Sequence, residues 1–428
     1  MNIIIHRGAH EIGGSCVELR TATSRLIIDF GLPLTDKQKG EIDAKSLEGK
    51  PIQDLKREGI LPAIEGFYDC DEKKIDGILI SHSHPDHYGL LNYVRHDIPI
   101  YLSQGAWSLI KVSNLFVPIR VGELNGKNIK PSKLFNIGDF KVTPYLVDHS
   151  AFDAMAFLIE AEGKRLFYSG DFRRHGRKNY LFENIIKHPP ENIDCLLMEG
   201  TTLGRGMTKY QTEGAVQERF EKILNEHKNI TFLFASSQNI DRIVSAYKAC
   251  RKTDTIFVID IYSAYILDHL PESIPKFDWC NIRIKYSFSQ ADKMAGSGHK
   301  DLLYKYNNKK IEIEEIMQNK NRILMLARDN NFYRHKIIDA IPELEGTKVL
   351  YSVWEGYLTP DFEGYCRSKG MVIEKIHASG HAALKDLKLF AKALNPKKLV
   401  PIHTAEPDKY KELFDNVTVF NDEQVNNI

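Results

Sequence analysis

The stretch Ser81-His82-Ser83-His84-Pro85-Asp86-His87 follows directly on an apolar run at residues 75–80. Neutral imidazoles and carboxylates are ligands suited to zinc or manganese. Three histidines and one aspartate within six residues, at the end of a strand-like run, cannot all be buried in apolar surroundings. His82 and His84 lie two residues apart and can reach one ion. Asp86 and His87, on the turn that follows, can reach a second. Residues 88–94 read as the start of a helix. The plain alternative is a solvated, histidine-rich loop, but H-x-H-x-D-H after an apolar strand favours the metal reading.

The same construction recurs along the chain. Apolar runs at 25–28, 142–147, 166–168, 195–198, 371–376 and 399–402 stop at Asp29, Asp148-His149, Ser169-Gly170-Asp171, Glu199, His377 and His403. Each run is short, rich in β-formers and bounded by turn residues, so each reads as a buried strand. Leu387, Phe390, Ala391 and Leu394 recur at helical spacing, and Pro396 ends that helix. Strands interleaved with helices give an α/β layered architecture. Such folds gather polar residues at strand ends to build a site. From 205 to 347 the pattern changes. Strand-like runs at 231–234, 255–260 and 322–326 alternate with helices, and His227, His269, His299 and His335 show no ligand spacing. This segment reads as a second α/β domain inserted into the first, which then comprises 1–204 and 348–428.

Composition sets the outer limits. The chain has 428 residues, 43% of them hydrophobic and 27% charged, which excludes disorder as the dominant state. No run approaches the roughly 18 apolar residues of a membrane helix. The N-terminus lacks the apolar core and cleavage site of a signal peptide. The six cysteines form no CxxC pair, which argues against a disulfide scaffold or a cysteine-type zinc ribbon and fits a reducing, cytoplasmic setting. Net charge is +1, so any nucleic-acid footprint must be a local one.

Four further residues complete two coordination shells. A lone histidine or aspartate at a strand end is usually structural. Taken with the first motif, His149, Asp171 and His403 read as ligands, and Asp29 reads as a residue that orients ligands by hydrogen bonding.

With these residues in order, the chain resembles the metallo-β-lactamase fold, a four-layer αβ/βα sandwich with metals at one edge of two sheets. Glu199 in Met198-Glu199-Gly200 matches the acidic motif that opens the β-CASP insertion. His381, in His377-Ala378-Ser379-Gly380-His381, matches the second added motif of that subfamily, and His403 the third. Ala235-Ser236-Ser237-Gln238-Asn239-Ile240-Asp241-Arg242 and His149-Ser150-Ala151-Phe152-Asp153-Ala154 are similar to segments of ribonuclease J. One departure is Asp241, where the ribonuclease J motif usually carries histidine. With 25 residues after His403, the extra C-terminal domain of ribonuclease J is not expected.

The resemblance implies a metal-dependent ribonuclease acting on single-stranded RNA. It implies two Zn²⁺ ions, with Mn²⁺ the alternative. His82, His84 and His149 would hold one, Asp86, His87 and His403 the other, with Asp171 bridging and a hydroxide activated between them attacking phosphorus. The implied catalytic set is Asp86, His381 as general acid, and Glu199 steadying the His381 ring. Ser379, Gly380 and His377 are candidates for contact with substrate phosphate, with Arg173, Arg174, Arg177, Lys178 and Arg242 as basic candidates along an expected interdomain cleft. Tyr351, Trp354 and Tyr357 are candidates for base stacking. No membrane partner is expected, and self-association is compatible with the sequence. A hydrolase of small phosphoesters and a DNA nuclease on the same site are the competing activities. A catalytically silent RNA-binding protein is the third class, and the complete ligand set argues against it.

Overall fold

The computed structural model describes residues 1–36, 40–69, 72, 74–119, 121–205 and 212–428. The chain divides into two compact units. The first comprises Met1–Arg174, Lys178–Gly206 and Gly380–Ile428, and the second His175–Arg177 and Met207–Ser379.

The first unit opens with β1 (Asn2–Arg7), β2 (Cys16–Arg20), β3 (Arg25–Ile28), β4 (Gly77–Leu79), β5 (Ile100–Ser103) and β6 (Gly126–Ile129). It continues with β7 (Phe135–Ile137), β8 (Phe140–Leu146), β9 (Met155–Ala161), β10 (Lys164–Tyr168) and β11 (Cys195–Glu199). The second unit supplies β12 (Thr231–Phe234), β13 (Ile256–Asp260), β14 (Ile282–Lys285), β15 (Ile323–Ala327), β16 (Lys348–Tyr351) and β17 (Val372–Lys375). The chain then returns to the first unit for β18 (Lys398–Ile402) and β19 (Val425–Asn427).

Two sheets build the first unit, in the orders β19-β1-β2-β3-β4-β5-β6 and β18-β11-β10-β9-β8-β7. Their facing sides share one core. Ile3, Val17, Leu26, Ile28 and Leu79 from the first meet Val142, Phe157, Leu166, Leu197 and Val400 from the second. Strand residues of opposite parity point outward. Ile27 and Ile78 pack with Leu55, Ala106 and Ile110 of the helices Ile52–Arg57 and Gln104–Phe116. Leu158, Phe167 and Leu196 pack with Phe182, Leu387 and Phe390 of the helices Asn179–Lys187 and Leu384–Leu394. Period-two alternation with both faces covered therefore produces the helix–sheet–sheet–helix layering that the family resemblance implies. The chain has the metallo-β-lactamase αβ/βα arrangement, interrupted by an α/β insertion.

The direction of the strands gathers the site. β3 and β4 are parallel, as are β10, β11 and β18, and two antiparallel steps bring β8 into the same direction as β10. The residues that follow these strands therefore leave each sheet at one edge.

The second unit holds a six-stranded, wholly parallel sheet in the order β14-β13-β15-β12-β16-β17. This corrects the expected domain boundary. A return to the first domain at residue 348 would leave 348–379 outside the insertion. Instead β16 pairs with β12 and β17 with β16, and the division falls after Ser379. Run 371–376 is thus a strand of the insertion; the apolar pattern of a buried strand does not say which sheet receives it. A second correction concerns residues 88–94. The helix covers only Pro85–Tyr88, and a 3-10 turn follows at Leu91–Tyr93. Gly89 ends the helix where an added Cβ would stand 2.5 Å from the Pro85 carbonyl oxygen.

Candidate metal centre

The H-x-H-x-D-H stretch leaves β4 and turns into the helix at Pro85. Proline suits the first helical turn, where its missing N–H costs nothing. The loop is clamped from beside it: Phe30 N–H donates to the His87 carbonyl at 2.8 Å, Leu32 N–H to that of Pro85 at 2.9 Å, and Ser15 N–H to that of Asp86 at 3.1 Å. His82 and His87 are fully buried, and His149, Asp171 and His403 are at most 2% exposed.

Two groups of ligand atoms converge. His84 Nδ1 lies 3.2 Å from His82 Nε2 and 3.1 Å from His149 Nε2. Burial, reinforced by the neighbouring imidazoles, pushes the pKa of His82 and His149 well down. Burial pushes His84 down to about 4. Unprotonated nitrogens facing one another this closely repel unless a cation lies among them. Tetrahedral zinc with nitrogens at about 2.0–2.1 Å sets those nitrogens roughly 3.3 Å apart, so the spacing fits. In the second group, His403 Nε2 and His87 Nε2 lie 3.3 and 4.0 Å from Asp86 Oδ2. Asp171 Oδ2 stands 3.2 Å from His87 Nε2, 3.7 Å from His82 Nε2 and 4.0 Å from His149 Nε2, within reach of both groups. Its Oδ1 is buried and has no hydrogen-bond partner among the described residues, as a carboxylate oxygen meant for a cation would be.

The carboxylates carry their charge. Although burial works to raise both, His87 and His403 hold the Asp86 carboxyl well below the usual range, and His403, His87 and His381 do so for Asp171. His87 is shifted up: burial opposes this, but Asp171, Asp29 and Asp86 outweigh it.

Hydrogen bonds at the far ring nitrogens orient the ligands. His87 Nδ1–H donates to Asp29 Oδ2 at 2.8 Å, and His149 Nδ1–H to the Gly380 carbonyl at 2.6 Å. His403 Nδ1 lies 2.8 Å from Thr201 Oγ1. Asp29 also accepts from Ser81 N at 2.7 Å, Ser81 Oγ at 2.8 Å and Tyr168 OH at 2.7 Å. Asp29 and His403 both adopt positive φ, 57° and 53°, directly after β3 and β18. Backbone held there costs energy that a functional site commonly absorbs. The sequence carries no signal that marks Thr201, Ser81 or Tyr168 for this orienting role. Thr201, two residues after Glu199, carries no spacing signal of its own.

His381 stands beside the two groups. Its Nδ1 is 3.6 Å from Asp171 Oδ2 and 3.6 Å from Glu199 Oε2, and its side chain is 20% exposed. Burial opposes it, but these two carboxylates shift the His381 pKa up. Glu199 accepts from Thr201 N at 2.9 Å and Ala382 N at 3.1 Å, so it braces the backbone on either side as well as facing the ring.

The candidates for phosphate contact divide. Gly380 belongs to the first unit, and its carbonyl accepts from His149; an added Cβ would stand 2.6 Å from Ser150 Oγ. Ser379 and His377 belong to the second unit. Ser379 O accepts from His175 Nε2 at 2.8 Å, and His377 Nδ1 lies 3.3 Å from Ser352 O. The basic candidates are engaged internally. Arg173 is fully buried on Asp148, and Arg242 fully buried on Glu213. Arg174 pairs with Glu183, Arg177 bonds Gln217 and Ser245, and Lys178 lies over the Phe152 ring. Tyr351 is buried, whereas Trp354 and Tyr357 are exposed and meet edge to face at 5.3 Å.

Residues 65–223 match the β-lactamase superfamily domain, and residues 369–418 the Zn-dependent metallo-hydrolase RNA specificity domain. Ribonuclease J of Helicobacter pylori (strain B128) is 22% identical over 411 residues, covering 92% of this chain and 55% of that protein. This chain thus spans about half the length of that relative. Transcription termination factor FttA of Methanothermobacter thermautotrophicus is 24% identical over 460 residues, covering 95% of this chain and 67% of the other. A crystal structure of a protein of unknown function from Enterococcus faecalis V583 superposes with a TM-score of 0.79 at 20% identity, covering 99% of both chains. The chain has the metallo-β-lactamase fold with an inserted α/β domain, and over most of its length it resembles ribonuclease J.

Proposed function

We propose that this chain is a metal-dependent ribonuclease that hydrolyses phosphodiester bonds of single-stranded RNA. The observation that carries the reading is the pair of ligand groups with Asp171 within reach of both, in a chain similar to ribonuclease J. His82, His84 and His149 would hold one divalent ion, Asp86, His87 and His403 a second, and Asp171 would serve both. Zinc fits the nitrogen-rich first group, and manganese is the alternative. Two such ions, when bound, supply Lewis acidity toward phosphate and lower the pKa of water.

The chain's own residues do the rest. Neutral His82, His84 and His149 keep lone pairs available at neutral pH. Asp29, Thr201 and the Gly380 carbonyl fix the ring orientations of His87, His403 and His149. His381 would give a proton to the leaving oxygen; the Asp171 and Glu199 carboxylates 3.6 Å from its Nδ1, which favour its charged form, support this role. Glu199 keeps the His381 loop in register through the Ala382 N–H.

The test is cleavage of a 5′-monophosphorylated, 3′-labelled single-stranded RNA of mixed sequence by wild type and His381→Ala, with and without EDTA, with matched DNA as control. Metal-dependent RNA cleavage, lost in His381→Ala, is the expected result. Cleavage of DNA alone, or of a small phosphodiester but no RNA, would replace this reading with another phosphoesterase.

A further inference from the structure

Arg242 is fully buried and does not face solvent. It lies within the second unit, and Glu213, 0% exposed, takes its fork: Nη2 meets Oε1 at 2.9 Å and Nε meets Oε2 at 3.1 Å. Glu213 opens the helix Glu213–Glu226, where a negative charge is favoured by the helix dipole. A buried ion pair is weak evidence for a role in stability, because desolvating both charges offsets most of their attraction. The remaining donors show what the pair holds. Arg242 Nη1 donates to the Ser352 carbonyl at 2.6 Å and also to Ser352 Oγ. Nη2 reaches the Ala378 carbonyl at 3.3 Å. Ser352 Oγ donates to the Ile376 carbonyl, and Ile376 N–H donates to that of Tyr351 at 2.9 Å.

Ser352 directly follows β16, and Ile376 directly follows β17. One guanidinium therefore ties together the exits of two adjacent parallel strands. The second of these exits runs through Ala378 and, three residues later, reaches His381. Carbonyl oxygens held by a planar, five-donor fork have little freedom, and lysine could not reproduce that geometry.

We infer that the Glu213–Arg242 pair is a positioning device for His381: it fixes the loop 376–378 from which the Ser379-Gly380-His381 segment departs. The inference rests on the reading of His381 as the residue that serves the leaving group. Arg242 acts through another residue and touches no substrate.

The test is a double-mutant cycle on the metal-loaded, full-length chain with labelled single-stranded RNA. Wild type, Arg242→Lys, His381→Ala and the double variant are compared for kcat, KM, metal content and melting temperature. Arg242→Lys is expected to lower kcat about tenfold or more, with KM within about twofold and metal content unchanged. The double variant is expected to be no slower than His381→Ala alone, because residues acting as a unit are not additive. A merely structural role would lower the melting temperature of Arg242→Lys but leave kcat alone, or would make the two losses multiply; either result overturns the inference. If Arg242→Lys does not fold, Ser352→Ala takes its place in the cycle. It removes only the hydroxyl that links Arg242 to Ile376, and the same absence of additivity is expected with a loss of about two- to fivefold. If His381→Ala retains wild-type kcat, the reading of His381 fails first, and that outcome is distinct from the others.

Discussion

Asp29 Oδ2 accepts the Nδ1 proton of His87 at 2.8 Å, and the same carboxylate receives donors from Ser81 and Tyr168. The bond leaves His87 Nε2 facing Asp171 and Asp86, so Asp29 sets which nitrogen His87 presents to the site. Asp29→Asn keeps the shape but replaces one accepting oxygen with a donor, which leaves at least one of these buried donors without its acceptor. The protein should still fold and hold an ion at His82, His84 and His149. Affinity for the second ion should fall about 10- to 100-fold, the usual cost of losing a ligand's hydrogen-bond partner. Zinc titration against a chromophoric chelator measures this, and two unaltered binding steps would remove Asp29 from the role.

Gly31 tests the clamp on the metal loop. An added Cβ would stand 1.7 Å from the Asp86 carbonyl oxygen and 2.9 Å from His87 N. Both are backbone atoms, so nothing swings aside cheaply. Gly31→Ala should push Asp86 and His87 out of place. It should cost about 1–3 kcal/mol, the usual range for overpacked buried sites. If the chain holds two ions, as proposed, metal content should drop toward one per chain. Full occupancy of both positions in a folded Gly31→Ala protein would refute this.

The sequence made the strand ends legible because two signals coincide there: a short β-rich run and an abrupt polar stop. His82, His84, Asp86, His87, His149, Asp171 and His403 all carry that signature, and the structure brings them to one place. Asp29 was readable for the same reason. Thr201 was not, since a threonine two residues past a glutamate has no period to betray it. Arginine is the residue that sequence treats worst. Arg173 and Arg242 look like candidates for phosphate contact next to a motif, yet both are fully buried on carboxylates. Charge alone cannot separate an arginine that faces a ligand from one that braces a loop. The partners Asp148 and Glu213 settle that, and Glu213 lies 29 residues away. Strand 372–375 shows the matching limit in the fold: its pattern says strand, and only the pairing with β16 says which sheet.

Removing metal should lower the melting temperature. The first group sets ring nitrogens 3.1–3.2 Å apart in a buried pocket, an arrangement that a cation stabilises and that repels without one. A ligand that binds the folded chain stabilises it by about 2.7 kcal/mol at a hundredfold excess over its Kd. Dialysis against EDTA should therefore shift unfolding down by several degrees, and adding Zn²⁺ should restore it. Identical melting curves with and without chelator would mean that the cluster is held by the fold alone.

Glu18 supplies a prediction in pH at a position remote in role from the metal ligands. It is fully buried on β2 and accepts from His6 Nε2 at 2.8 Å, Arg20 Nε at 2.6 Å and Arg25 Nε at 2.6 Å. Burial works to raise its pKa, but these three donors outweigh it and hold the carboxyl well below the usual range. In the unfolded chain the group titrates near 4.3, about its unperturbed value. Below about pH 5 the unfolded chain therefore binds more protons than the folded one, and stability rises with pH through this interval. The contribution of Glu18 is complete above the unfolded value and is lost as pH falls toward the depressed folded value. Glu18→Gln keeps the size and one acceptor but has no charge to lose. Wild type should be more stable than Glu18→Gln by about 1–3 kcal/mol at pH 7, and this advantage should shrink steadily from about pH 5 to about pH 3. Urea unfolding of both proteins at matched pH isolates the contribution of Glu18, since acid-driven loss of metal affects the two alike. A wild-type advantage that stays constant down to pH 3 would show that Glu18 is not the charged centre of this network.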